Sequence, residues 1–340
     1  MARRVPAAHA IAVLEEHLTV RVDQHRPERL VTGVECLARE RDTTPDMDLV
    51  CRTGERHVPS LHPPTRVRFS ERPVTESAVR REDTAVEIAG TAALVTGGAS
   101  GLGAATAKRF ADNGVTVFGL DLQQSIDKAG DSVPDGVTLI AADVTSDEEV
   151  RAALAQIGEA GVPLRIVVNC AGVGWAGRIL SKKGVHDLEL FRTVITINLL
   201  GTFNVMRLAA DHMQTLPTVD EAGQRGVIIN TASVAAFEGQ IGQIAYSASK
   251  GGVHGMTVPA ARDLAQVGIR VNTIAPGIVD TPMLAGVTPE YRAGLEAGVP
   301  FPSRLAQPTE YAQLAQMIVE HDYLNGETIR MDGALRMAPR

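Results

Sequence analysis

The chain has 340 residues, 44% of them hydrophobic, with three cysteines and a formal charge of −7. That length supports one large core plus an appendage, and so few cysteines exclude a disulfide framework and suggest no metal site. A net-negative body without a basic stripe argues against nucleic acid as a partner, and no uninterrupted apolar run approaches the roughly 20 residues that span a bilayer, so no membrane role and a cytoplasmic location are expected.

Residues 1–85 have a texture of their own. They hold half of the 28 arginines and five of the nine histidines, no lysine, and as many acids as arginines, so their charges cancel. Proline and charge interrupt HRPERL, ERHVPSLHPPTRVRFSERP and VRRED, and only residues 8–22 have a short apolar rhythm. Such a stretch buries little surface and is expected to be a disordered extension. Two other readings stay open: translated sequence ahead of a true start near Met47 or Val79, or a partner-binding arm.

Residues 86–340 read as one domain. Apolar β-rich runs (AALVT, VTVFGL, VTLIAA, LRIVVN, GVIINTA, IRVNTI and ETIRM) alternate with helical stretches. Those stretches are GLGAATAKRFADNG, SDEEVRAALAQIG, DLELFRTVITINLLGTFNVMRLAADHM, AYSASKGGVHGMTVPAARDLAQ and PTEYAQLAQMIVEH. Continuous apolar strands with helical crossovers predict a parallel sheet covered on both faces. About seven such units make an α/β, doubly wound, Rossmann-type domain.

The first of these strands runs into Thr96-Gly97-Gly98-Ala99-Ser100-Gly101-Leu102-Gly103 and then a helix. Glycines allow a tight turn and close approach of backbone to a pyrophosphate, and a helix N-terminus offers N–H groups to that anion. The context of strand, loop and helix makes this a dinucleotide site. Asp121 ends the second strand, 18 residues after Gly103. A carboxylate there accepts hydrogen bonds from ribose hydroxyls and repels a 2′-phosphate, and its next neighbours are Leu122, Gln123 and Gln124 rather than arginine. NAD is therefore expected over NADP.

Further along, Tyr246 and Lys250 are spaced i, i+4 on a predicted helix and share a face. With 4 tyrosines and 5 lysines in 340 residues, chance supplies about 0.06 such pairs. A phenol with a pKa near 10 is a poor acid–base at neutral pH; a neighbouring ammonium is expected to lower it. Tyr246 then gives or takes a hydroxyl proton while hydride moves, and Lys250 can also hold the nicotinamide ribose. Ser233, 13 residues before Tyr246, offers a hydroxyl to the substrate oxygen. Asn198 lies inside a predicted helix, where asparagine is unfavourable. A backbone carbonyl or water relaying protons to Lys250 is one reason for it to be there.

TGGASGLG, the turn Asn169-Cys170-Ala171-Gly172, Asn198, Ser233, Tyr246, Lys250 and Pro276-Gly277 together resemble, in order and spacing, the short-chain dehydrogenase/reductase family. The resemblance covers residues 89–340, and residues 1–85 match nothing in it. GQRGVIINTASVAAFEGQIGQIAYSASKGG, VPFPSRL and LNGETIRMDGALRM are most similar to members acting on acyl-CoA alcohols. The resemblance implies NAD-dependent oxidation of 3-hydroxyacyl-CoA to 3-ketoacyl-CoA, with steroid alcohols secondary, and a homotetramer. Other secondary-alcohol chemistry, including acetoacetyl-CoA reduction, and an idle nucleotide-binding scaffold remain alternatives. The resemblance further implies a catalytic set of Asn198, Ser233, Tyr246 and Lys250, with Ser233 also binding substrate. Cofactor contacts would be Gly97, Ser100, Gly101, Leu102, Gly103, Asp121, Asp143, Val144, Cys170, Ala171, Tyr246, Lys250, Val279 and Thr281. Asp143 and Val144 would meet the adenine end, and Val279 and Thr281 the nicotinamide end. Two loop-like segments, 174–186 with Trp175 and 279–295, would cover the substrate.

Overall fold

The computed structural model describes residues 34–39, 48–53, 88–182, 184–284 and 286–339. The chain divides into two units, Met1–Val74 and Thr75–Arg340. In the first unit the described residues form one antiparallel pair, β1 (Val34–Arg39) and β2 (Asp48–Thr53), with Val34 opposite Thr53. The rest of residues 1–85, on which the expectation of a disordered extension falls, lies outside the described residues. The apolar rhythm of residues 8–22 lies outside the described residues.

In the second unit, the seven predicted strands are found as β3 (Ala92–Thr96), β4 (Thr116–Asp121), β5 (Val137–Ala141), β6 (Leu164–Asn169), β9 (Gly226–Thr231), β10 (Ile269–Pro276) and β11 (Thr328–Met331). A two-strand hairpin, β7 (Leu180–Ser181) and β8 (Gly184–Val185), stands apart from them. The sheet order is β11-β10-β9-β6-β3-β4-β5, parallel throughout. Succession from β3 goes to β4 on one side, and the chain later crosses to β6 on the other. That reversal opens a crevice beyond the carboxyl ends of the strands, where ligands bind in such sheets.

The strands are apolar on both faces, because each face is covered. Along β3, Ala92 and Leu94 enter one core cluster and Ala93 and Val95 the other, the two-residue period of a strand. The first cluster is covered by α3 (Asp147–Glu159), α5 (Thr202–Met213) and α6 (Ile244–Ala265), the second by α1 (Gly101–Asp112) and α8 (Pro308–Glu320). Helix α3 shows why these segments are helical. Val150, Ala153, Leu154 and Ile157 are buried at i, i+3, i+4 and i+7, the Ser146 hydroxyl accepts from Glu149 N, and three acids occupy its first turn. Each large buried side chain there contributes roughly 2 kcal/mol.

Two helices escaped the sequence reading. Helix α2 (Gln123–Ala129) buries no residue, so it has no apolar period to read. Helix α7 (Pro289–Ala297) corrects the expectation of a loop over 279–295: Thr288 caps it and Pro289 begins it, both legible start signals. The other covering segment, 174–186, includes the β7–β8 hairpin.

The predicted long helix is present as α4 (Leu188–Ile195), a π-helical turn over Thr196–Gly201, and α5. By length and composition, Leu188–Met213 could cross a membrane, although the chain holds no unbroken apolar run of that length; more than half of its most apolar stretch is buried inside the protein. Its hydropathy is accounted for by the core it covers.

Candidate active site

The crevice is lined by the turns and side chains at the carboxyl ends of the strands. After β3 comes Gly97, in the left-handed region at φ +67°, where only glycine is unstrained. It is also crowded, since a methyl there would lie 3.1 Å from Ala171 N. At Gly103 a methyl would lie 2.1 Å from Gly97 O, so this helical position also requires glycine. The loop thereby folds back against its own helix start and against the Cys170-Ala171 turn. Thr96 Oγ1 ties that turn down, accepting from Cys170 N and Ala171 N, both at 3.1 Å.

The first turn of α1 is left open to an anion. Ser100 occupies the N-cap with no side-chain capping bond, and no acid stands in the first turn. The N–H groups of Gly101, Leu102 and Gly103 have no intrahelical acceptor by position. Asp121 closes the back of the loop: Oδ2 accepts from Ala99 N at 3.1 Å and Oδ1 from Leu122 N at 2.9 Å. Asp143 Oδ1 accepts from the backbone and hydroxyl of Thr145, both at 2.8 Å, and the neighbouring Val144 is buried with its carbonyl bonded to Asn204 Nδ2. On the far side, buried Val279 bridges to Ala306, and Thr281 lies 3.7 Å from where a Gly101 methyl would be. Gly97, Ser100–Gly103, Asp121, Cys170, Ala171 and Thr281 thus share one rim of glycine backbone, free helix N–H groups and a carboxylate. A dinucleotide fits that donor set.

The second half of the crevice is built from side chains. Ser233 lies just past the end of β9 and is buried, its Oγ accepting from Ala235 N at 3.1 Å. Tyr246 and Lys250 stand on α6 one turn apart, with Lys250 Nζ 5.9 Å from the Tyr246 ring centroid. Lys250 is 4% exposed and donates to Thr231 O at 2.8 Å. Burial pulls its ammonium down to about 8, against a smaller opposing pull from Cys170.

Tyr246 departs from the expectation that Lys250 lowers its pKa. Burial raises it, and the opposing influence is a hydrogen bond from the Ser233 side chain. The Lys250 ammonium is directed at the Thr231 carbonyl instead of at the phenol oxygen. In this state Tyr246 holds its proton at neutral pH.

Asn198 is fully buried in the π-helical turn, and its reason is a side-chain one. Oδ1 accepts from Val173 N at 2.8 Å, while Nδ2 donates to Val173 O at 2.9 Å and to Ser249 Oγ at 3.1 Å. Ser249 in turn donates to Tyr246 O at 2.7 Å. Asn198 therefore links the loop after Gly172 to the helix carrying Tyr246 and Lys250. Its own carbonyl accepts from Thr202 Oγ1 at 2.8 Å. A methyl on Gly172 would lie 3.0 Å from Asn198 Oδ1 and 3.6 Å from Lys250 Nζ, so that glycine separates the two polar groups.

Thr96, Thr231 and Ser249 escaped the sequence reading. Ser249, three residues after Tyr246 on the same helix face, was detectable from spacing; the other two act through a strand end that no local pattern marks. Over the crevice the two covering segments meet, since a methyl on Gly174 would lie 2.8 Å from Met283 Sδ. Trp175 is 49% exposed at that rim, while His254 is exposed and bonds Thr328 Oγ1 at 3.0 Å, away from the site.

The short chain dehydrogenase family profile matches residues 91–292. A 3-hydroxyacyl-CoA dehydrogenase type-2 from Bos taurus is 54% identical over 256 residues, 74% of this chain and 97% of that protein. An acetoacetyl-CoA reductase from Allochromatium vinosum is 34% identical over 253 residues, 72% of this chain and 98% of that protein. Among solved structures, the 3-hydroxyacyl-CoA dehydrogenase type-2 from Mycobacterium avium superposes with a TM-score of 0.69 at 40% identity, covering 75% of this chain and all of that one. By the family match and these likenesses, the chain belongs to the short-chain dehydrogenase/reductase family and is an oxidoreductase acting on CH–OH carbons.

Proposed function

We propose that this protein oxidises 3-hydroxyacyl-CoA to 3-ketoacyl-CoA with NAD, using Asn198, Ser233, Tyr246 and Lys250. The observation that carries this reading is that Ser233, Tyr246 and Lys250 converge beside a glycine loop whose back wall is the Asp121 carboxylate. Gly97, Ser100, Gly101, Leu102, Gly103, Asp121, Asp143, Val144, Cys170, Ala171, Val279 and Thr281 would hold the coenzyme, with Lys250 and Tyr246 at its reactive end. NAD, when bound, supplies a hydride acceptor.

The remaining work falls to the protein. Ser233 fixes the substrate oxygen against the Tyr246 phenol, which exchanges a proton with it. A Tyr246 that keeps its proton at neutral pH is suited to protonating a ketone oxygen. In the oxidative direction the Ser233 hydrogen bond favours the phenolate that must accept the proton. Lys250 supplies the only positive charge of this set. Asn198 ties the loop at Val173 to the helix around it. Asp121 opposes a 2′-phosphate by charge, which supports NAD over NADP.

A homotetramer is part of this reading, supported by the apolar side chains exposed along the π-helical turn and helices α5 and α6, among them Leu200, Phe203 and Val258. Size-exclusion chromatography with light scattering tests it, and a monomer would remove it. A second reading, reduction of acetoacetyl-CoA or another ketone by the same residues, is favoured by the likeness to the Allochromatium reductase.

The test is NADH oxidation with acetoacetyl-CoA, with NADPH in parallel and a hydroxysteroid as alternative substrate with NAD. Turnover with NADH and the thioester supports the proposal. Turnover with NADPH alone removes the role given to Asp121, and turnover with the steroid alone moves the substrate class.

A further inference from the structure

The sheet is split at the place where Lys250 is held. Strands β6 and β9 pair only as far as Asn169 opposite Asn230. Beyond that point Ala171 leaves the ladder, its N–H going to the Thr96 hydroxyl at 3.1 Å. On that side the Thr231 carbonyl lies beyond the ladder, and it takes Lys250 Nζ at 2.8 Å. A backbone carbonyl at the end of a parting pair of strands is held less firmly than one inside the ladder.

The wedge between the parted strands is filled from the opposite face of the sheet. Tyr311, on α8, is 0% exposed, and its hydroxyl lies 2.7 Å from Thr231 Oγ1 and 3.7 Å from Cys170 Sγ. Its buried neighbours along α8 include Ala312, Ala315, Ile318 and Val319. A phenylalanine would fill nearly the same volume without burying a hydroxyl, which is unfavourable unless bonded. The hydroxyl is therefore the feature that needs a cause, and its partner is the residue whose carbonyl holds the lysine.

We propose that Tyr311 is a positioning residue of the active site, holding the Lys250 ammonium through Thr231 from the far face of the sheet. This rests on the assignment of Lys250 to the catalytic set. The titratable groups facing Lys250 are Tyr246 from its own helix, Cys170 from the turn after β6, and Tyr311, through Thr231, from α8; Asn198 Oδ1 approaches from the π-helical turn. Burial pushes both Cys170 and Tyr311 up, so neither is charged at neutral pH, and the Thr231 carbonyl is the acceptor that the ammonium meets.

The experiment compares Tyr311→Phe, Thr231→Val, the double variant and Lys250→Met in the full chain. It reads NADH turnover with acetoacetyl-CoA against pH and, independently of turnover, thermal unfolding against pH. With Thr231 loosened, the ammonium loses its proton at lower pH. Tyr311→Phe is expected to lower kcat about tenfold with KM for NADH little changed, the scale of one hydrogen bond. The alkaline limb of both profiles should move down by roughly half a pH unit. The double variant should lose no more than the worse single one, because the two act through one contact. Should Tyr311→Phe fail to fold, Thr231→Val carries the same pH readings. Unmoved alkaline limbs, or losses that simply multiply in the double variant, overturn the proposal. A Lys250→Met protein that still turns over overturns this proposal and the catalytic assignment of Lys250 together. An inactive Lys250→Met beside an unaltered Tyr311→Phe overturns the role of Tyr311 alone.

Discussion

The two halves of the crevice are made of different materials. The half proposed to hold the coenzyme is backbone: Gly97, Gly101 and Gly103 within one contiguous stretch, shaped by the absence of side chains and tied by Asp121. The half proposed to be catalytic is side chain: Asn198, Ser233, Tyr246 and Lys250 from the π-helical turn, the end of β9 and helix α6. A backbone site is sensitive to any added atom and tolerant of changes elsewhere. A side-chain site depends on each functional group and on the elements that carry it.

Substitutions can sharpen that contrast. The largest effect is expected from Tyr246→Phe, which removes the proposed proton carrier and leaves the ring. Its kcat should fall about 10³-fold with NADH affinity within about twofold, measured by stopped-flow turnover and NADH fluorescence titration. Normal turnover would remove Tyr246 from its role. Next in size is Gly103→Ala. Its methyl would meet Gly97 O at 2.1 Å, so coenzyme affinity should drop about 100-fold or more and the unfolding midpoint should fall. Unaltered NADH binding in that variant would break the claim that the loop is shaped by missing side chains.

Lys250 gives the third test. Its ammonium is lowered from 10.5 to about 8 by burial, so between those values the unfolded chain binds more protons than the folded one. Stability is then expected to rise with pH across that window, and the cost of the buried charge is fully present below it. Lys250→Met should therefore raise stability at pH 7 by about 1–3 kcal/mol. That gain should shrink toward pH 10.5, as followed by denaturant unfolding at several pH values. A variant less stable than the parent at pH 7 would show that the Thr231 bond outweighs the desolvation. The smallest effect is expected from Asp121→Ala, a shift of about tenfold in the NAD-to-NADP preference from relative kcat/KM, with kcat itself nearly unchanged. An unmoved ratio would assign coenzyme choice to other residues.

The glycine loop of the proposed coenzyme half was legible in the sequence, because a strand, that loop and a helix are adjacent in the chain. The seven strands were legible for a related reason: strands buried on both faces are continuous apolar runs. The catalytic half was legible in its residue types, through the i, i+4 pair and the family spacing, but not in its electrostatics. Whether Lys250 lowers Tyr246 depends on where the ammonium points, and it points to Thr231 O. Helix α2 was invisible because it buries nothing, and α7 was overlooked despite its Thr288-Pro289 start.

By itself, then, the chain's pattern determined the doubly wound sheet, the glycine loop between strand and helix and the one-turn spacing of Tyr246 and Lys250, since each rests on local periodicity or on a contiguous motif. Only the tertiary structure decided that Asn198 acts as a side-chain tie between Val173 and Ser249, that Thr231 holds Lys250, and that Tyr311 reaches them from the other face. Those contacts join residues 19 to 80 positions apart across parting strands and opposite helix layers. Their geometry comes from how the sheet splays at its carboxyl end, which no segment of sequence encodes alone.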